Sequence, residues 1–264
     1  ERFGNPENES ASPQAGIRLR PMKALRVLAA FAALVLPGAA VADPAPPVAV
    51  ELFTSQGCYS CPPAEAYLGE LAGRAEVVAL EWHVDYWDDL VYGGAGKWKD
   101  PFSSKAATLR QYAYNRAIIG RARAYTPQMI VAGEREMVGS DRSRVEDAIR
   151  RARKALPQTV ALTVEPAPDG RIAVQASGGG VTLWRVDFLK THVTEVLRGE
   201  NKGKRLVSHN IVRRLTALGP ARADGLVLDP PAAGEGCAIL AQVGESGPVR
   251  AAAYCPADGV RPPA

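Results

Sequence analysis

The sequence predicts an α/β domain over residues 47–156 followed by a small, mostly β, sandwich-like domain over residues 157–258. Three observations predict it. Two apolar runs, Val48–Phe53 and Val77–His83, are bounded by turn residues and flank a helix-forming stretch, which gives a strand–helix–strand order. At 264 residues the chain has room for a second core. Beyond Pro157 the texture changes to short alternating segments divided by Asp169-Gly170 and the glycines 178–180, as in antiparallel strands.

Taken in order, the chain begins with a segment set apart from the fold. Met22-Lys23-Ala24-Leu25-Arg26 precedes an apolar run from Val27 to Leu36, and Ala40-Val41-Ala42 supplies the small residues of a cleavage site. This is the pattern of a secretory signal peptide, with an apolar run too short to span a bilayer. Residues 1–21 lie upstream of Met22, so residues 1–42 are read as an upstream segment and signal peptide, cleaved after Ala42. The expected location is periplasmic or secreted, with no stable membrane span once the leader is removed.

Asp43 to Pro47 is a stiff linker. After the strand Val48–Phe53, Thr54 to Gly57 breaks the run and delivers the chain to Cys58. Pro62 and Pro63 suit a first helical turn, where backbone donors are unpaired, and Ala64 to Ala72 forms the helix. Two consecutive prolines disfavour a helix already begun at Cys58, which makes Cys61 the cap. The strand Val77–His83 follows, then a loop, a helix over 103–119, a strand over 125–131 with Pro127 near its start, a strand over 136–138 and a helix over 142–156. The later strands are expected over 159–164, 171–176, 182–189, 192–197, 206–212, 238–243 and 249–254. A hairpin centred on Ser246 would set Cys237 opposite Cys255, within disulfide reach.

Composition excludes several classes. Hydrophobic residues make up 47% and charged residues 23% of the chain, average globular usage, so neither general disorder nor a multi-span membrane protein is indicated. Residues 1–42 hold five basic and three acidic side chains, and without them the net charge falls from +4 to +2. So small a bias, with no basic patch interleaved with aromatics, gives no nucleic-acid partner. Four cysteines in an exported chain fit an oxidising compartment.

The chemistry centres on Cys58 and Cys61. A Cys-x-x-Cys pair between a strand and a helix cycles between dithiol and disulfide, because three residues of spacing bring the sulfurs within bonding reach. Cys58 is expected to be the more exposed, attacking sulfur and Cys61 the resolving one. Thr126-Pro127 matches a cis proline placed beside such a dithiol, whose preceding residue pairs with an extended substrate. Tyr59, Thr126 and Trp87 are the candidate substrate contacts.

Four stretches also resemble a known family: Glu51 to Ala64 around the cysteines, Trp82 to Asp88, Arg110 to Tyr112, and Tyr125 to Gln128. Together with Arg198 to Gly203 and Asn210 to Val212, they are similar to the bacterial secreted family catalogued as domain of unknown function 1223, over nearly the whole chain beyond residue 42. The resemblance implies a thioredoxin-like domain, corresponding to 47–156, plus a β-rich domain. It implies fold more than activity. Tyr59-Ser60 differs from the dipeptides between the cysteines of better-known thioredoxins, so no redox potential is inferred.

Three functions remain open on the residues. The first is an envelope thiol–disulfide oxidoreductase whose partners are envelope proteins or small thiols and whose only cofactor is its own redox-active disulfide. The second is a copper or zinc binding or delivery protein using Cys58, Cys61 and His83. The third is a non-catalytic binding module with a permanent disulfide. Glu51, Glu81 and Asp85 are candidate proton carriers, with salt-bridged carboxylates as the plainer reading. Trp82, Tyr86 and Trp87 read as core packing as well as groove lining. Arg198 to Arg205 reads as a charged, solvated hairpin turn, and His192 and His209 receive no role.

Overall fold

A computed structural model describes residues 46–90, 96–155, 160–222 and 224–256, together with Gly16. The expected leader and its cleavage point after Ala42 lie outside the described residues. The elements are β1 (Val48–Thr54), α1 (Pro62–Ala72), β2 (Val77–His83), α2 (Lys105–Ile119), β3 (Gln128–Val131), β4 (Arg135–Val138) and α3 (Arg142–Ala155), followed by β5 (Ala161–Pro166), β6 (Ile172–Ser177), β7 (Thr182–Glu195), β8 (Arg205–Pro220), β9 (Leu226–Leu228), β10 (Glu235–Gln242) and β11 (Val249–Tyr254). The β-α-β-α-β-β-α order expected of the first part is present. Two expected strands, 182–189 and 192–197, are one long strand β7, and β9 is an addition.

Eight strands form a mixed sheet in the order β11-β10-β7-β8-β2-β1-β3-β4, and β5-β6-β9 form a second, three-stranded sheet. The large sheet runs across the boundary expected at 156/157. Its seam is the parallel contact of β2 with β8, made by the pair Glu81 and Ile211. It also curls round, so that the Val249 N–H donates to the Ala132 carbonyl (2.8 Å) and the Tyr254 hydroxyl meets the backbone of Ala79.

β1 and β2 are buried on both faces, in keeping with their largely apolar sequences. Period-two alternation divides their side chains. Val48, Val50, Leu52, Val77 and Ala79 pack with Tyr67, Leu68 and Leu71 of α1 and with Val145 and Ile149 of α3. Ala49, Phe53, Val78, Leu80 and Trp82 face Ala107 and Tyr114 of α2 and the curled-in strands β10 and β11. A third cluster, containing Ile172, Val174, Leu183, Ile239 and Ala251, holds the small sheet against the large one.

The buried face of α2 is polar. Arg110 grips the Glu51 carboxylate with Nε (2.7 Å) and Nη2 (3.0 Å), and Nη2 also donates to the Tyr114 hydroxyl (2.7 Å) and to Gln242 Oε1 (3.2 Å). This network joins β1, α2 and β10. Cys237 and Cys255 are disulfide-bonded, with Cα atoms 5.2 Å apart. The β10–β11 register from Ala238–Tyr254 to Ala241–Ala251 is the one expected of a hairpin centred on Ser246; it slips by one residue beyond Ala241.

Candidate functional site

The Cys58–Cys61 segment lies where β1 ends and α1 begins. The turn is closed by backbone bonds from Cys58 N to Ser55 O (3.0 Å) and from Cys61 N to Cys58 O (3.2 Å). Cys61 is the N-cap residue of α1, with the prolines in the first helical turn. The sulfurs are bonded to each other, with Cα atoms 5.4 Å apart. Here one expectation is corrected: Cys58 is not the more exposed sulfur, since both cysteines are 0% exposed. Tyr59 and Ser60 between them face solvent.

The disulfide loop is held by a segment from far along the chain. The tip of the β7–β8 hairpin, expected to be a solvated turn, is docked on the disulfide loop. Asn201, fully buried, donates through Nδ2 to the carbonyls of Gln56 and Cys58, both at 2.9 Å. Glu200 accepts from the Tyr59 N–H at 2.8 Å. Lys204 lies 4.1 Å from the Tyr59 ring centroid and donates to Asn201 Oδ1 at 2.8 Å.

Beneath the segment sits a buried ionisable cluster. Thr54 and His83 end β1 and β2, and alternation puts Thr54, Glu81 and His83 on the face covered by α1. Thr54 donates to Glu65 of α1 (2.6 Å). His83 Nε2 is 2.9 Å from Glu81 and Nδ1 is 2.6 Å from Asp100. Asp100 also accepts from the Gln56 N–H (2.8 Å), directly before the dithiol turn. Burial, with the neighbouring Glu81 charge, pushes the Glu65 carboxyl up to about 8. Burial alone would push His83 down; the carboxylates of Asp100 and Glu81 outweigh it and hold the imidazole well above its ordinary value. Burial is likewise outweighed at Asp100, which His83 holds down.

The remaining expected site residues fall into place around this. The Thr126–Pro127 bond is cis, and the Pro127 carbonyl accepts from the Gly139 N–H (3.0 Å). A methyl group on Gly139 would lie 3.5 Å from Pro127 Cβ and 3.1 Å from Ala64 Cβ, so the proline sits beside the first turn of α1. Trp87 donates to Thr126 Oγ1 (2.7 Å) and packs on Gly57. Trp82 stacks on Phe53 in the core.

Of the proton-carrier candidates, Glu51 is held by Arg110, Glu81 by His83, and Asp85 accepts from Thr108 (2.6 Å). Both His83 nitrogens are engaged by carboxylates, and among the described residues no three His, Cys, Asp or Glu side chains are grouped as around a metal ion. Glu65, Asp100, Glu200 and Asn201 are site residues that sequence reasoning missed. Glu65, one helical turn beyond Cys61, was within reach of the periodicity; Asn201 was flagged only by lying in a motif of the resemblance.

A family model described as "Protein of unknown function (DUF1223)" matches residues 49–240. A crystal structure of a protein from Agrobacterium tumefaciens is 28% identical, with a TM-score of 0.67 over 81% of this chain and 96% of that one. HBP35 of Porphyromonas gingivalis is 12% identical, with a TM-score of 0.53 over 82% of this chain and 77% of that one, a likeness of fold alone. No curated protein matches. The first likeness shows the mixed α/β fold shared with a solved structure, and the match over residues 49–240 shows that the chain belongs to the DUF1223 family.

Proposed function

We propose that the chain is an exported thiol–disulfide oxidoreductase built on a thioredoxin-like arrangement, in which Cys58 exchanges with the substrate and Cys61 resolves the mixed disulfide. The observation that carries this reading is the Cys58–Cys61 bond at a strand–helix junction, with Cys61 capping α1. A helix N-terminus favours a thiolate through its unpaired N–H groups and its dipole, and so eases both attack and departure of sulfur there. The Thr126–Pro127 turn and Trp87 beside the segment support Thr126, Trp87 and Tyr59 as the substrate contacts. The second disulfide, Cys237–Cys255, fits an oxidising compartment. Among the described residues no helix is long and apolar enough to cross a membrane. The cluster under the dithiol offers Glu65, raised to about 8, as a group able to exchange a proton near pH 7.

The test is to equilibrate the protein with mixtures of reduced and oxidised glutathione, read the fraction of Cys58–Cys61 disulfide, and measure turnover of hydroxyethyl disulfide. Wild type is expected to equilibrate reversibly and to turn the disulfide over, whereas Cys58→Ser and Cys61→Ser do not. A bond that resists every ratio of glutathione, with no turnover, would make it a structural disulfide and end the proposal.

A further inference from the structure

We propose that the hairpin tip, residues 196–204, is a gate that confines exchange at Cys58–Cys61 to small thiols and keeps folded proteins off it. The inference rests on the oxidoreductase reading and deepens it by naming the substrate class.

The geometry has three parts. Neither cysteine has exposed surface, and Asn201, bonded to the carbonyls of Gln56 and Cys58, is itself 0% exposed, so the tip seals onto the disulfide loop through a packed contact. The seal is latched at four points: Asn201 to the Gln56 and Cys58 carbonyls, Glu200 to the Tyr59 N–H, and Lys204 over the Tyr59 ring. The tip is also stiffly carried. The β7–β8 ladder is paired as far as Glu195 and Arg205, backbone bonds between Val196 and Lys204 (3.0 Å) and Gly203 and Val196 (2.8 Å) close the turn, and Gln56 Nε2 ties the disulfide loop to Thr194 (2.9 Å).

A protein partner presenting its own cysteine must displace the whole tip, which means breaking the four latches and opening the end of the ladder. A small thiol needs far less: Ser60, exposed and with its Oγ 3.4 Å from Cys58 Sγ, carries none of the four latches and can move aside alone. A thiolate RS⁻ attacks Cys58 Sγ, the Cys58–Cys61 bond breaks, and Cys61 departs as a thiolate that takes up a proton. A second RS⁻ attacks the sulfur of the bound thiol, Cys58 departs and is protonated, and RSSR leaves. Two thiols are oxidised and the protein disulfide is reduced to a dithiol. Asn201 acts here as a positioning and selecting residue and touches no reacting atom.

The experiment uses the full oxidised chain and reads stoichiometric reduction of Cys58–Cys61 by acid quench, alkylation and mass. The reductants are glutathione and a folded protein dithiol of the thioredoxin type. Each rate is divided by that of the same reductant on a disulfide peptide spanning residues 55–63, which removes intrinsic reactivity. Wild type is expected to favour glutathione over the protein dithiol by about tenfold or more. Asn201→Ala is expected to raise the protein-dithiol rate by about tenfold, the effect of one lost buried hydrogen-bonding group, and the glutathione rate far less. Lys202→Ala, an exposed tip change, should alter neither. Equal normalised rates on wild type, or two rates rising together in Asn201→Ala, would overturn the gate. If Asn201→Ala does not fold, Glu200→Ala, which removes the acceptor of the Tyr59 N–H, is judged by the same criteria. A size preference without turnover of hydroxyethyl disulfide would leave the gate and remove the oxidoreductase reading; turnover without a size preference would remove the gate alone.

Discussion

Arg110→Met probes the buried Arg110–Glu51 ion pair, whose network also reaches Gln242 and the Glu245 carbonyl in the last part of the chain. Methionine keeps the unbranched stem and removes the guanidinium. Glu51, 1% exposed, then retains the Tyr114 hydroxyl but loses two charge-assisted hydrogen bonds, while Tyr114, Gln242 and the Glu245 carbonyl each lose a donor. Removing one partner of such a pair leaves an uncompensated buried charge and costs about 3–5 kcal/mol. In a domain of this size each kcal/mol moves the melting midpoint by about 2–4 °C, so the expected fall is about 6–20 °C. The Glu51→Leu/Arg110→Met double variant removes both charges and should recover most of that loss. Urea unfolding at pH 7 with both disulfides intact, followed by far-ultraviolet circular dichroism, reads Arg110→Met, Glu51→Leu and the double variant. A single-variant cost below about 1 kcal/mol, the worth of an exposed pair, or a double variant as damaged as the sum of the singles, would refute the reasoning.

Three further outcomes are expected. Glu65 is protonated in the fold up to about 8 but ionises near 4.5 when unfolded, so its contribution is whole below pH 4.5 and is lost as pH rises to 8; Glu65→Gln should remove a slope of about 1.4 kcal/mol per pH unit, measured by urea unfolding between pH 5 and 8. His83, whose folded value is also raised, adds to the decline above its unfolded value of about 6.5, so some slope in that upper range survives in Glu65→Gln, and a wild-type stability that rises with pH across this window would contradict both assignments. Paired replacement of Cys237 and Cys255 by alanine opens a loop of sequence separation 18 and should cost about 3 kcal/mol in the same unfolding assay. Gly133→Ala puts a methyl group 2.5 Å from the Gly247 carbonyl oxygen at a φ of +66°, and should cost about 1–3 kcal/mol, whereas Gly179→Ala, with open space around it, should cost less than about 1 kcal/mol.

The sequence was most legible where neighbours in the chain decide the structure. β1 and β2 announce themselves as largely apolar runs, broken by a single acidic residue each, and the two prolines place the start of α1 because only a first turn tolerates them. The Cys237–Cys255 register follows from counting outward from Ser246. Legibility fails where a strand outruns its core: β7 is exposed from Lys190 to Val193, and with no buried side to mark continuity it reads as two strands broken at Lys190 and Thr191. β9 is three residues long, too short for any period to show. At the site the two cysteines were evident from spacing, but their cover was not. Asn201 stands among Arg198, Glu200, Lys202 and Lys204, a run that looks like a solvated face, and its partners lie 143 and 145 positions away. Exposure of Cys58 was misjudged for the same reason, since a local reading sees the strand end and the glycine but not the distant hairpin.

The seam at Glu81 and Ile211 has a consequence for how the chain reaches this structure. Glu81 Oε2 accepts the His209 N–H at 2.9 Å across 128 positions of sequence, so the contact waits on a very long loop closure. Until it forms, β2 and β8 are two naked strand edges, each able to pair with any other extended segment nearby. A newly emerged chain would therefore pass through a stage in which its disulfide loop is unroofed and its two halves are adhesive. Fragments ending near residue 156 would be held at that stage, collecting into aggregates from which full-length protein escapes by closing the seam.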